Sequence, residues 1–367
     1  MAGRGPQTTA PPTPDGQYLA EALQRVGRQC APFREVSCEA LDGGRTGVSV
    51  TRLVTDAGQS FVLKRIPRTR PFNAVLQHEG EAVAWQAGST RTLPEPLTNP
   101  AIDASLHPEH DEWWLLMDDV AEGIVPRDVW AEPHTLQLFE ALAELHASWW
   151  DRGGPPQGLA DLGATTSLLV EISRLAATGR ASASWAPKAA EAFQVPEMLM
   201  PAFLEAAGQD NAAYFQALLA RWPEITRALK SHTPTLLHGD PRRANVAFLR
   251  DQVYLFDWEF AALGPAAVDL TWHWFLQYWA YIPDDGRTLE QRFWLRDAYL
   301  EILENRLGHA VDRAAFQAAW DLGWLRVFCQ LGFVLIDGLE ARPEAERQAI
   351  IDEAFEHSRR IVHDQLA

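Results

Sequence analysis

The apolar pattern changes character along the chain, strand-like first and helical afterwards. Val36 to Leu41, Val48 to Thr55 and Ser60 to Ile66 are β-prone runs, and Asp56-Ala57-Gly58 supplies the turn of the second connection. Before them, Leu19, Leu23 and Val26 recur at helical spacing, which predicts a short amphipathic helix over residues 17–28. Asn73 to Trp85 is helix-like again, with Val75, Leu76, Val83 and Trp85 available for a core face, and Trp113 to Met117 is a compact apolar strand. From there the periodicity is helical. Residues 134–149 place Leu138, Leu142, Leu145 and Trp149 on one face, and residues 160–230 are Ala- and Leu-rich. Val268 to Tyr281, Leu289 to Arg306, Ala314 to Leu335 and Glu344 to Val362 read as further helices. The pattern predicts an α+β chain: a tail over 1–16, a sheet-bearing part over 17–118, and a mainly helical part over 119–367.

One segment interrupts the helical part. Residues 236–260, LLHGDPRRANVAFLRDQVYLFDWEF, hold two short strand-like runs, Asn245 to Leu249 and Val253 to Phe256, around the polar turn Arg250-Asp251-Gln252. Three polar residues stand out against this background: Asp240, Asn245 and Asp257. Transfer of a γ-phosphoryl group to a hydroxyl uses a carboxylate near the hydroxyl proton and hard oxygen ligands for Mg²⁺ on the phosphates. An acid and an amide on one tight loop, with a second acid a hairpin away, supply both. A polar turn with a capping Asp and Asn would explain any one of the three, but accounts poorly for the set.

His238-Gly239-Asp240, four residues, Asn245, and then Asp257-Trp258-Glu259 resemble the aminoglycoside phosphotransferase family, the small-molecule kinases with a protein-kinase-like fold. The resemblance implies a two-lobed fold with a small antiparallel-sheet lobe carrying one helix and a large helical lobe. It implies Asp240 as general base or hydroxyl-orienting group, and Asn245 and Asp257 as Mg²⁺ ligands. ATP, or GTP in its place, would be the donor. Lys64 in FVLKRI matches the strand lysine that meets the α- and β-phosphates; a solvent-facing Lys on an edge strand is the plainer alternative. Glu79, six residues before Trp85, has the family's spacing for the partner of that lysine, and is preferred to Glu81. Met117 and Asp118 fall at the hinge, where backbone groups would meet the adenine edge. Gly43-Gly44 lies between the first two strands, where a glycine-rich turn can close over phosphates, but the segment lacks the full glycine fingerprint and also reads as a simple hairpin. His238 is read as a loop anchor, Glu259 as a supporting carboxylate, and Asp269 as the family's structural aspartate bracing the loop.

Gly264-Pro265 and a helix follow Asp257 closely, too soon for the activation segment and peptide-holding element of a protein kinase. The connection therefore points to a small-molecule acceptor: an aminoglycoside or other antibiotic, an amino alcohol or a sugar. The helices of 160–230 either shape that acceptor site or simply pack. Trp258, Trp272, Trp274, Trp279 and Trp294, among 15 tryptophans, read as helix core, with stacking on a cationic or sugar-like ligand as the alternative. His146 reads as a hydrogen-bonded core histidine.

A net charge of −17 argues against sequence-independent nucleic-acid binding and is compatible with a cationic acceptor. No apolar run is long enough to span a bilayer, and the first sixteen residues lack a signal-peptide core. Three cysteines without a C-x-x-C pair favour neither a disulfide framework nor zinc, and a reducing cytoplasm is the simplest setting. The rival readings are a non-catalytic nucleotide-binding scaffold of the same fold, a compact protein kinase, and a metal-dependent hydrolase using His238 and Asp240. The last lacks a second histidine at ligand spacing. Oligomeric state is not legible.

Overall fold

The computed structural model describes residues 14–41, 48–70, 73, 80–152, 158–180, 194–281, 283 and 287–366. Among them ten strands run in chain order: β1 (Val36–Ala40), β2 (Ser49–Thr55), β3 (Ser60–Pro67), β4 (Leu97–Thr98), β5 (Ala101–His107), β6 (Glu112–Asp118), β7 (Thr235–Leu237), β8 (Val246–Leu249), β9 (Gln252–Leu255) and β10 (Ala262–Gly264). The chain divides into two compact units, Met1–Pro67 with Pro100–Asp119, and Arg68–Asn99 with Val120–Ala367.

The first unit is an antiparallel sheet in the order β1-β2-β3-β6-β5. Its β1 to β3 lie within a residue of the runs of apolar and β-branched residues that predict them. β5 was not legible: a register shift between Ala101 and Asp103 breaks its alternation. Helix Pro14–Arg25 begins inside the expected tail, with Asp15 in its first turn and Arg25 in its last, each on the side the helix dipole favours. Tyr18, Leu19, Ala22 and Leu23 pack on Leu53, Phe61, Leu63, Trp114 and Leu116. Each fully buried leucine or phenylalanine contributes about 1.5–3 kcal/mol to holding the helix down. Since Phe61 and Leu63 face this helix and strand side chains alternate, Lys64 lies on the opposite face of β3, paired in register with Val50 and Leu115. Arg65 is on the helix side, bonded to Asp15 and set 4.8 Å over the Trp114 ring.

The second unit is mainly helical. Helix Glu132–Trp149 buries Leu138, Leu142 and Leu145 on one stripe. Helix Leu162–Thr178 is capped by Asp161, which accepts from Gly163 N at 2.8 Å, and ends at Gly179 with φ 64°. Gln194–Leu219 is two helices broken at Gly208 (φ 74°, ψ 167°). Helices Ala267–Trp274, Trp294–Leu307, Arg313–Leu331 and Glu344–Leu366 complete the core, and the first continues as a π turn over Phe275–Ala280. Trp258, Trp272, Trp274 and Trp279 are core residues, whereas Trp294 is 41% exposed. No helix among the described residues is long and apolar enough to cross a membrane.

Two small sheets frame the loop between them. β7 pairs with β10, and the β8–β9 hairpin turns at Arg250 and Asp251, both with positive φ (51° and 62°), with β4 parallel to β9. A two-residue turn of this hand matches the twist of the strands it joins.

Candidate active site

The loop leaving β7 is held by its backbone. Gly239 has φ 88°, and a Cβ there would stand 2.2 Å from the Phe260 carbonyl oxygen, so only glycine fits. The N–H groups of His238 and Gly239 both donate to the buried Asp269 carboxylate, at 2.7 and 2.8 Å. His238 Nε2 lies 3.0 Å from the Phe256 carbonyl, and Nδ1 accepts from Asp240 N at 3.2 Å. Both ring nitrogens of His238 are thereby engaged with backbone, tying the loop to the end of the β8–β9 hairpin. Beneath Asp269, His146 Nε2 is 3.4 Å away and its Nδ1 is 2.8 Å from Tyr299 Oη.

The loop delivers Asp240, 4% exposed, into a set of donors. Trp272 Nε1 donates to Oδ1 at 2.6 Å, Asn245 Nδ2 donates to Oδ2 at 3.0 Å, and Arg242 Nε is 3.3 Å from Oδ2. Burial pushes the Asp240 carboxyl above its ordinary range; Arg242 opposes the shift and Asp257 adds to it. Asn245 spends its second Nδ2 bond on the Asp240 carbonyl, also at 3.0 Å, which leaves its Oδ1 as the oxygen available to a ligand. Its backbone is fixed in turn, with N donating to Arg242 O and O accepting from Phe256 N.

A second brace reaches Pro241. His273 Nδ1 donates to the Pro241 carbonyl at 3.0 Å, and its Nε2 lies 3.2 Å from Thr135 Oγ1. Trp130 Nε1 and Tyr278 Oη both donate to Thr135 Oγ1, so the hydroxyl proton of Thr135 goes to His273. That arrangement requires a neutral imidazole, and burial holds the His273 pKa at about 4.

Asp257 follows β9 in the left-handed region, φ 64° and ψ 57°. The next N–H, of Trp258, donates to Glu81 Oε2 at 3.0 Å. Glu259 is buried and bonds Arg70, whose guanidinium also holds Asn73. Asp240, Asn245, His238 and Asp269 thus form one hydrogen-bonded group with Asp257 in electrostatic reach, while Glu259 is engaged by Arg70. Lys64, Met117 and Asp118 belong to the sheet unit; the Asp118 side chain is paired with Arg28 and its N–H donates to Pro100 O. Glu79, Gly43 and Gly44 lie outside the described residues.

Four residues of this site escaped the sequence reading in these roles. Trp272 read as core, Glu81 was set second to Glu79, and Arg242 and His273 drew no notice. Only the aromatic run had marked Trp272 at all.

Asn245 Oδ1 and the Asp257 carboxylate are hard oxygen donors, the type that suits Mg²⁺. Among the described residues no group of three or more His, Cys, Asp or Glu could hold a metal unaided. Two such donors alone would leave most of an ion's coordination to phosphate and water.

The chain matches the phosphotransferase enzyme family over residues 38–307. No curated protein sequence matches it. Similar solved structures include choline kinase from Cryptosporidium parvum Iowa II, at 11% identity and TM-score 0.51 over 90% of each chain. A microcompartment-associated aminopropanol kinase is 13% identical at TM-score 0.49, over 95% of this chain and 98% of that one. A thermostable aminoglycoside phosphotransferase mutant is 16% identical at TM-score 0.45, over 91% and 97%.

Proposed function

The chain belongs to the phosphotransferase enzyme family and has a two-lobed protein-kinase-like fold; from that premise we propose that it transfers the γ-phosphoryl group of Mg·ATP to a hydroxyl of a small molecule. The observation that carries this reading is the buried Asp240, with one carboxylate oxygen held by Trp272 and the other by Asn245. A carboxylate fixed at both oxygens needs no reorganisation to orient an incoming hydroxyl, and its raised pKa makes it a better proton acceptor than a solvated one.

Asn245 Oδ1 and Asp257 would hold the Mg²⁺ that comes with the nucleotide. When bound, that ion neutralises charge on the phosphates. Arg242, half-exposed and beside Asp240, adds a cation next to the carboxylate. Lys64 is assigned to the α- and β-phosphates with Glu79 as its partner, Gly43 and Gly44 to the phosphate loop, and the backbone at Met117 and Asp118 to the adenine edge. His238, Asp269 and Glu259 act as supports.

The acceptor class is supported by the brevity of the connection after Asp257. Only a 3-10 turn, Trp258–Phe260, and β10 separate it from helix Ala267–Trp274, which leaves no platform for a peptide. An aminoglycoside or other antibiotic, an amino alcohol or a sugar fits this reading, and the acidic chain is compatible with a cationic one.

The test is consumption of Mg·ATP against a panel of these acceptors, with Asp240→Asn as the blank. We expect one class to stimulate turnover, and Asp240→Asn to lower kcat by about 10²- to 10⁴-fold with the fold intact. Near-normal turnover in that variant would remove Asp240 from the role. Tight Mg·ATP binding without turnover on any acceptor would favour a nucleotide-binding scaffold.

A further inference from the structure

Arg326 is a buried cation with no carboxylate in contact among the described residues. It sits in helix Arg313–Leu331, 2% exposed, and its hydrogen bonds are to two hydroxyls: Nε to Thr166 Oγ1 at 2.8 Å and Nη2 to Thr165 Oγ1 at 3.2 Å. Both threonine hydroxyls give their own protons to Leu162 O, which leaves their oxygens free to accept. Nη1 has no partner among the described residues. Burying a guanidinium on neutral acceptors alone is costly, and replacing it with an apolar side chain would ordinarily be favourable. The position therefore calls for an account beyond packing.

Two neighbours supply one. The guanidinium carbon is 5.9 Å from the centre of the Trp272 ring, and Asp269 is the anion whose field it feels. Asp269 and Trp272 are three residues apart on helix Ala267–Trp274, hence on one face of it. They are also the two anchors of the loop: Asp269 holds the His238 and Gly239 N–H groups, and Trp272 holds Asp240 Oδ1. The helices approach closely here, since a Cβ on Gly323 would come within 2.6 Å of Thr271 Oγ1. A cation near the indole face attracts the ring and draws electron density from it, which strengthens the N–H as a donor.

We propose that Arg326 is a positioning residue: it sets the orientation and donor strength of the Trp272 N–H, and through it the placement of the Asp240 carboxylate. Its kinetic consequence rests on the phosphotransferase reading above; the coupling itself does not.

The coupling is read by the indole ¹H–¹⁵N resonance of Trp272 in the ¹⁵N-labelled full chain, assigned by its loss in Trp272→Phe. We expect a downfield signal that moves upfield in Arg326→Met and returns part of the way in Arg326→Lys. Should Arg326→Met not fold, Thr166→Val, which removes the Nε acceptor and keeps the guanidinium, reads the same resonance. An unmoved signal in the folded variants overturns the proposal. In Mg·ATP turnover, with the panel's acceptor or with water, Arg326→Met and Trp272→Phe should each lower kcat about tenfold, with KM for ATP within about twofold. Combined, they should be no worse than Trp272→Phe alone; losses that multiply would mean independent action and also overturn it. A resonance that moves in a chain that never turns over ATP would uphold the coupling and sink the transferase reading instead.

Discussion

The sheet unit and the helical unit hold their charges in opposite ways. In the sheet unit, ions meet ions near the surface: Arg28 with Asp118, Arg52 with Asp119, Arg25 with Asp103, most with at least one partner well exposed. In the helical unit the charges around the loop are buried and, apart from the Arg70–Glu259 pair and the Arg242 contact to Asp240, are held by neutral groups. Asp269 takes two backbone N–H groups, Asp240 takes an indole and an amide, and Arg326 takes two hydroxyls. Exposed pairs are screened and individually weak, whereas a buried ion stripped of its dipoles has nothing else to turn to. The difference predicts where mutation and solvent conditions will be felt.

The largest effect should come from Asp269→Ala, which strands two buried N–H groups at once. We expect a loss of about 4 kcal/mol in urea unfolding, with catalytic turnover lost in the fraction that remains folded. A loss below about 1 kcal/mol would mean that the loop does not depend on this carboxylate. Gly239→Ala should follow, at about 3 kcal/mol, because the added Cβ meets the Phe260 carbonyl and the backbone is left-handed. Unchanged melting in this variant would contradict the close approach.

Next comes pH. His273 is fully enclosed with its folded pKa lowered from 6.5 to about 4, so between those values the unfolded chain binds a proton that the folded chain refuses. Its contribution is complete above pH 6.5 and declines as pH falls toward 4, by about 1.4 kcal/mol per unit at most. His357, likewise near 4, acts in the same direction. The melting temperature should fall between pH 7 and 5, and less steeply in His273→Gln; parallel slopes would refute the assignment. The smallest effect belongs to the sheet unit. Arg28→Gln should cost less than about 1 kcal/mol, and 0.5 M salt should erase the difference from wild type. A larger, salt-independent loss would remove the contrast between the units.

The three polar residues of the loop were legible because they interrupt apolar strands at fixed spacing, and spacing survives in a linear string. β1 to β3, β6 and the long helices were legible for the same reason, since each carries its own period. What was lost is what depends on distant pairing. Trp272 stands 32 residues from the carboxylate it holds, and a tryptophan in an apolar helix looks the same whether or not its N–H has a use. Arg326, in WLRVFCQ, carries no mark of its own in the sequence, and only the packing of Thr165 and Thr166 against it reveals its place. Glu81 was set aside in favour of Glu79, yet its carboxylate receives the N–H next to Asp257, across 177 residues.

Asp257 combines two demands that Gly239 keeps apart from chemistry. Its left-handed backbone suits aspartate, asparagine and glycine, and other residues poorly. Aspartate codons reach asparagine or glycine by one nucleotide change, so the charge at this position can be erased by a single mutation with little strain on the hairpin. Descendants of this protein would therefore have a short route to a folded chain that lacks this carboxylate.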